Sequence, residues 1–144
     1  GAVPIVNEND TVSTHEIQFG DNDRLSAVVS ALIGADLLIL LSDIDGLYTD
    51  DPRKNPDAKF VSFIPEINEE LMGMGKDSSG SDVGMTAKLV AARIATDSGC
   101  DMVIANASDV MVIHDIVNGE PRGSLFLAHP NLDFDLMDYM NSKY

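Results

Sequence analysis

The chain has a single cysteine, few basic residues and no long apolar run, and each shortage excludes a class of protein. Its 144 residues hold 9 Lys and Arg against 24 Asp and Glu, a formal net charge of −15. Such a charge repels nucleic-acid backbones and anionic membrane surfaces, so we expect neither as a partner. Cys100 has no second cysteine for an intrachain disulfide and no evident base beside it, and we interpret it as a packed thiol.

Apolar stretches stay well short of the roughly 18 residues that a membrane-spanning helix needs. The opening residues also lack the basic start of a signal peptide, and we expect a cytoplasmic protein. A hydrophobic content of 44% suffices for one globular domain with a core. We place this domain at residues 1–128 and a C-terminal tail at 129–144.

Strand-like and helix-like segments alternate along the chain. Residues 2–6 are interpreted as a buried strand, and the unbroken apolar run at 37–41 as a central strand covered on both faces. Helices are predicted from 23 or 24 to 33 and at 64–74, 86–98 and 109–117, and further strands at 102–105 and 123–128. This order predicts an α/β fold with a mostly parallel sheet sandwiched by helices.

The first predicted helix has a simple amphipathic pattern. Its apolar stripe is expected to consist of Leu25, Val28, Val29 and Leu32. Gly34 follows in the position where a left-handed residue ends a helix.

Three polar clusters fall where such a fold gathers ligands. Residues 7–10 follow the first predicted strand, residues 42–52 follow the second, and residues 20–23 precede the first helix. Ligands bind beyond the carboxyl ends of parallel strands, and a helix N-terminus adds partial positive charge. We expect one polar pocket, although each cluster taken alone is more often a solvated turn.

Metal sites and two common enzyme motifs are not supported. If Gly46 is the sixth residue of a calcium loop, the first and twelfth positions are Leu41 and Pro52, which cannot serve as end ligands. The isolated His15, His114 and His129 lack the paired spacing of a transition-metal site. There is no GxSxG nucleophile elbow and no GxxxxGKS phosphate loop.

Four motifs follow one another in a distinctive order. They are NEND at 7–10, GDND at 20–23, SDIDGLYTDDPR at 42–53 and GMTAK at 84–88. In this order they resemble the glutamate 5-kinases of the amino acid kinase superfamily, from Val3 to about Phe126. The third motif is shared with kinases of aspartate and uridylate, whereas NEND followed by GDND is similar to the glutamate kinases specifically.

The resemblance implies roles for individual residues. Asn7, Asp10 and Asn22 would hold glutamate, with Asp10 paired to its ammonium group. Asp23 would orient catalytic lysines, and Lys88 would act on the transferred phosphoryl group. The nucleotide-binding residues implied by the family are Ser42, Asp43, Gly84, Met85, Thr86, Ala87 and Lys88.

The implied reaction is transfer of the ATP γ-phosphoryl group to the side-chain carboxylate of L-glutamate, the first step of proline biosynthesis. No general base is needed because an ordinary Glu, with a pKa of about 4.3, is already ionised at neutral pH. Mg²⁺ would enter mostly with the nucleotide phosphates, with only one or two protein carboxylates involved, and no residue is assigned as a metal ligand. We expect small-molecule partners and a homo-oligomer.

The motifs also depart from the family. GMTAK lacks the Thr-Gly-Gly of the family's GTGGMxTK loop, and the upstream strand with its Gly-rich phosphate loop is missing. The chain is therefore expected to be the carboxyl-terminal portion of an amino acid kinase-like fold. Two alternatives stay open: an aspartate or uridylate kinase of the superfamily, and an inactive truncated binding fragment.

Overall fold

The computed structural model describes residues 2–7, 21–74 and 83–141. Within these ranges no helix is both long enough and apolar enough to cross a lipid bilayer. In chain order the elements are α1 (Asp21–Ile33), β1 (Leu37–Ser42), β2 (Leu47–Tyr48), β3 (Phe60–Val61), β4 (Phe63–Ile64), α2 (Glu69–Met74), α3 (Val83–Asp97), β5 (Asp101–Asn106), α4 (Val112–Val117), β6 (Ser124–Phe126) and α5 (Leu136–Asn141).

The main sheet of the described residues has four strands in the order β1-β5-β6-β4. β1 pairs with β5 in parallel, from Leu37 opposite Asp101 to Ser42 opposite Asn106. β4 and β6 are also parallel, whereas β5 and β6 are antiparallel. The predicted α/β fold with a mostly parallel sheet is thereby confirmed.

β1 does not have the position predicted for it. It lies at an edge of the sheet that the described residues form, and its only fully buried residue is Leu40. A central position within this sheet is therefore wrong for β1, and β5, with four consecutive buried residues, has it instead. A uniformly apolar run therefore does not tell how many strands flank a strand or how deeply the strand is buried.

Helix α1 packs on α3 through small residues rather than through the predicted stripe. The buried residues of α1 are Ser26, Ala27 and Ser30, whereas Leu25 and Leu32 are 42% and 60% exposed. α3 presents buried alanines as well: Ala91, Ala92 and Ala95. Small side chains let two helix backbones approach closely. The helix was predicted correctly, but its stripe was wrong at Leu25 and Leu32, while Val28 and Val29 are half-buried.

Several predicted boundaries shift in the structure. Residues 2–7 contain no strand, and Ile5 is 95% exposed, so the strand predicted at 2–6 is wrong. The helix predicted at 64–74 begins only at Glu69, where the Asn68 carboxamide oxygen accepts a hydrogen bond from the Leu71 amide at 2.8 Å. Gly34, with φ +63°, ends α1 in the left-handed region as predicted, and Gly99, with φ +86°, ends α3 in the same way.

The core lies between the main sheet and helices α1 and α3. Its largest fully buried side chains are Phe126, Leu47, Leu89, Met102 and Ile104. Cys100 belongs to this core with 1% exposure, and burial raises the pKa of its thiol. Near the C-terminus, Phe134, Leu136 and Tyr139 pack against the core. The domain boundary at residue 128 stays a prediction.

Candidate active site

A cavity of about 470 Å³ opens where β1 and β5 end. Its walls come from the segment after β1, from the β2–β3 hairpin and its loop, from the first turns of α3 and from the last residue of β5. The lining residues are Asp43, Ile44, Asp45, Gly46, Tyr48, Asp51, Pro52, Arg53, Gly84, Met85, Lys88 and Asn106. The fold thus brings two of the sequence motifs, those at 42–53 and 84–88, to one cavity.

An ion pair connects this cavity to helix α1. Lys88 Nζ lies 3.0 Å from Asp23 Oδ2, and the two side chains are only 13% and 18% exposed. Because both groups are largely shielded from water, their attraction is screened less than that of a surface pair. Asp23 therefore holds the Lys88 ammonium group at the cavity.

Asn22 lies next to this ion pair in sequence and contacts the N-terminal segment. Its Nδ2 donates a hydrogen bond to Asn7 Oδ1 at 3.1 Å. The structure thus brings together two of the three residues expected to hold the amino acid. Asp10, the third, lies outside the described residues.

The expected nucleotide-binding residues occupy two places. Ser42 ends β1 and its Oγ donates to Asp43 Oδ1 at 3.2 Å, while the exposed Asp43 lines the cavity. On α3, Gly84, Met85 and Lys88 line the same cavity. Thr86 and Ala87 lie between them on the same helix, both half-buried.

The model of the amino acid kinase family matches residues 1–106. The chain belongs to the amino acid kinase family. Two curated relatives are the glutamate 5-kinases of Clostridium perfringens and Carboxydothermus hydrogenoformans, 49% and 53% identical over 89% and 88% of this chain. The chain spans 50% and 34% of their respective lengths. The resemblance found in the sequence is confirmed.

Among solved structures, the Giardia lamblia carbamate kinase bound to AMP-PNP has the same fold, with a TM-score of 0.58 at 22% identity. The superposition covers 76% of this chain and 36% of that one.

Eight of the twelve described cavity residues of this amino acid kinase were missed as site candidates, and two of them, Tyr48 and Asn106, contact a third, Asp45. Asn106 Nδ2 donates to Asp45 Oδ1 at 3.0 Å, and Tyr48 Oη lies 3.5 Å from Asp45 Oδ2. Asn106 is the last residue of β5, directly beyond the strand predicted at 102–105. The rule that ligands gather at the carboxyl ends of strands could have found it.

The loop at the cavity's edge is fixed by a network around Asp51. Asp51 Oδ1 accepts from the Arg53 backbone amide at 2.9 Å and from Arg53 Nε at 3.0 Å. These hydrogen bonds lower the pKa of Asp51, and a hydrogen bond from Asn55 likewise lowers the pKa of Asp50. Both carboxylates therefore remain charged at neutral pH. Nowhere in the described ranges do three His, Cys, Asp or Glu side chains form a cluster that could hold a metal ion.

The hairpin of this amino acid kinase is attached to the main sheet through Ser124 of β6. The buried Ser124 Oγ accepts from the Leu47 amide at 2.8 Å and donates to the Val61 carbonyl at 2.6 Å. Gly46 permits this close approach, since a Cβ there would meet Ser124 Oγ and lie 2.9 Å from the Phe60 ring. The position of the hairpin, and so of Tyr48, depends on these polar contacts together with the burial of Leu47 in the core.

Proposed function

We propose that this chain takes part in the ATP-dependent phosphorylation of the L-glutamate side-chain carboxylate to glutamyl 5-phosphate, the first step of proline biosynthesis. The observation that carries the proposal is the shielded Lys88–Asp23 ion pair at a cavity, with Asn22 beside it in sequence. The curated relatives, named glutamate 5-kinases at 49% and 53% identity, support the choice of acceptor.

In this proposal the cavity receives the nucleotide. Gly84 and Met85 lie near the beginning of α3, a 15-residue helix whose N-terminal amides favour phosphate groups. Lys88 neutralises charge that builds up on the transferred phosphoryl group, and Asp23 keeps its ammonium group in place. The AMP-PNP bound to the Giardia carbamate kinase, which shares the fold, supports a nucleotide as the ligand.

Mg²⁺, which neutralises phosphate charge when bound, is proposed to enter together with the nucleotide. The described residues supply no metal cluster of their own, although the exposed Asp43 offers a carboxylate at the cavity. Phosphate oxygens with one or two carboxylates are a usual environment for this ion.

Glutamate is proposed to bind where α1 begins. Asn22, held by Asn7, presents an amide that a substrate carboxylate can approach without charge repulsion. Asp10 is proposed to bind the substrate ammonium group. Because the acceptor carboxylate is ionised at neutral pH, these residues need only position it for in-line attack on the γ-phosphorus.

Kinases of aspartate or uridylate are not favoured, because the curated relatives are glutamate 5-kinases. A binding fragment without turnover is the second candidate, since the chain spans half or less of these relatives. A domain at 1–128, a homo-oligomer and a cytoplasmic location belong to the same proposal.

The decisive experiment measures ATP binding by calorimetry and ADP release with L-glutamate, L-aspartate or UMP as acceptor. We expect release with glutamate alone, and a loss of turnover by about 100-fold or more in Lys88→Ala. Lys59→Ala, which removes an exposed lysine outside the cavity, is the matched control. ATP binding without turnover would support the fragment, and normal turnover in Lys88→Ala would contradict the assigned role.

A further inference from the structure

Asp45 has a carboxylate at the cavity, and the phosphoryl transfer proposed above assigns no role to it. Its side chain is exposed at the cavity, and Asn106 Nδ2 holds its Oδ1 at 3.0 Å. Asn106 is itself fixed, because its Oδ1 accepts from the Ser108 amide at 2.8 Å. The carboxamide must therefore turn its NH₂ group toward Asp45, and the contact is a hydrogen bond to a carboxylate.

A carboxylate in this cavity repels phosphate groups and attracts hydrogen-bond donors. A nucleoside triphosphate has donors only on its ribose hydroxyls and on the amino group of its base. A carboxylate has about four acceptor positions, and at Asp45 only Asn106 and the distant Tyr48 hydroxyl use any of them among the described contacts. Asp45 therefore keeps acceptor capacity for a ligand.

We propose that Asp45 accepts hydrogen bonds from the ribose hydroxyls of the nucleotide and that Asn106 is the residue that positions it. Two vicinal hydroxyls match the two oxygens of one carboxylate, and carboxylates bind ribose hydroxyls in other nucleotide sites. This inference rests on the proposed function, because it requires the cavity to bind a nucleotide. It makes Asp45 a determinant of selectivity for ribonucleotides.

The test compares binding of ATP and of 2′,3′-dideoxy-ATP by calorimetry. The unaltered chain is expected to bind ATP about 10-fold more tightly, because hydrogen bonds to a charged group are lost with the hydroxyls. In Asp45→Ala, ATP binding weakens by about the same factor and binding of the dideoxy nucleotide does not, so the ratio falls to about 1. Asp57→Ala, which removes an exposed carboxylate outside the cavity, should leave the ratio unchanged.

The role of Asn106 has its own test. Asn106→Ala should lower the ATP preference by about 3-fold, and should have no further effect on it in the Asp45→Ala background. If Asn106 had a purely structural role, its replacement would weaken the binding of both nucleotides alike and leave the ratio of their affinities unchanged. An Asn106 effect that persists without Asp45 would overturn the positioning role.

Each remaining outcome decides between the two proposals. If the unaltered chain binds neither nucleotide, both the proposed function and this inference fail. If it binds ATP and the dideoxy nucleotide equally well, only this inference fails. If Asp45→Ala weakens the binding of ATP and of the dideoxy nucleotide equally, Asp45 does not contact the ribose. If the chain binds ITP more weakly than ATP but binds ATP and the dideoxy nucleotide alike, Asp45 does not contact the ribose either. Asp45→Asn, which keeps the side-chain shape, replaces the alanine variant if that variant does not fold.

Discussion

The layer formed by α1, α3 and β5 and the β2–β3 hairpin both contribute to the cavity, and they are held by different forces. The layer is built from side chains with almost no exposure, such as Leu89, Met102 and Ile104. The hairpin has two residues in each strand and is attached by the hydrogen bonds of Ser124 and of Asp45 with Asn106. Burial thus fixes one wall, whereas the burial of Leu47 and directional polar contacts together fix the other.

Because of this difference, changes in the two regions should affect different properties: the free energy of unfolding in one case and ligand binding in the other. A change in the layer should reduce the free energy of unfolding and affect the cavity only as the whole fold weakens. A change at the hairpin's polar attachment should weaken ligand binding while most of the core remains, because Leu47 is the one fully buried apolar side chain in the two hairpin strands.

Gly123 lies before β6, where the two regions join, and gives the largest expected effect. Its φ is +66°, and a Cβ there would overlap the Ile104 carbonyl oxygen and lie 3.2 Å from Ala105 Cα. Gly123→Ala should therefore lower the free energy of unfolding by about 4 kcal/mol in urea titrations. Gly119→Ala, at φ +84° with no atom near the added Cβ, should cost only about 1 kcal/mol. Equal losses would contradict the close approach of the strands.

Leu89 tests the buried layer directly. It is fully buried on α3, and Leu89→Ala should lower the free energy of unfolding by about 3 kcal/mol through lost burial and a cavity. Val117→Ala on α4, where the side chain is 69% exposed, should change it by less than about 0.5 kcal/mol. Thermal and urea unfolding measure both variants. A Leu89 variant as stable as the Val117 variant would mean that the layer is not the stabilising region.

Ser124 tests the polar attachment of the hairpin. Ser124→Ala leaves the buried Leu47 amide without its acceptor, which should cost about 2 kcal/mol. We also expect weaker ATP binding, measured by calorimetry at a temperature where the variant is folded. Ser30→Ala is the matched control, because this buried hydroxyl donates to the Ala27 carbonyl within its own helix. If both serine variants bind ATP alike, the hairpin is not positioned by Ser124.

The smallest effect is expected at Asp97, at the end of α3. Burial raises the pKa of this carboxyl group above its ordinary 3.8 despite the nearby Arg93. The folded state thus holds the proton more tightly, so stability is greatest below the unfolded pKa and decreases as pH rises through the folded pKa. Asp97→Asn should be more stable at pH 7, by less than about 1 kcal/mol, and should lose this advantage at acidic pH. Urea titrations at pH 3 and pH 7 measure the stability gain of Asp97→Asn, with Asp57→Asn as control. An equal gain at both pH values would contradict the effect of burial on the Asp97 carboxyl group.

The sequence predicted the positions of helices and strands better than it predicted which of their faces pack against other elements. Helix α1 was predicted within two or three residues of its observed start, because its apolar content and Gly34 are local signals. Its buried face was not, because Ser26 and Ser30 look polar in sequence but satisfy their hydroxyls on the helix's own carbonyls, at 2.6 and 2.7 Å. In the structure, Ala27 between these serines belongs to the same buried core cluster as Ala91, Ala92 and Ala95 of α3.

In the candidate site, too, residues in local motifs could be predicted and contacts between distant segments could not. Residues within recognisable motifs, such as Asp43 and Lys88, could be selected from sequence, and the fold does bring them to one cavity. Asn106 could have been selected from its place at the end of a strand, but its contact with Asp45 could not, because that contact spans 61 positions and exists only once β5 lies beside β1. Their catalytic and binding roles stay predictions until the variants are measured.

The burial of Cys100 gives the protein a built-in reporter. It is the chain's one cysteine, it lies within the core, and burial raises the pKa of its thiol. A thiol-specific reagent can therefore react only when the core opens, since the reactive thiolate is both shielded and disfavoured in the closed state. The labelling rate then measures how often that opening occurs, without any introduced probe.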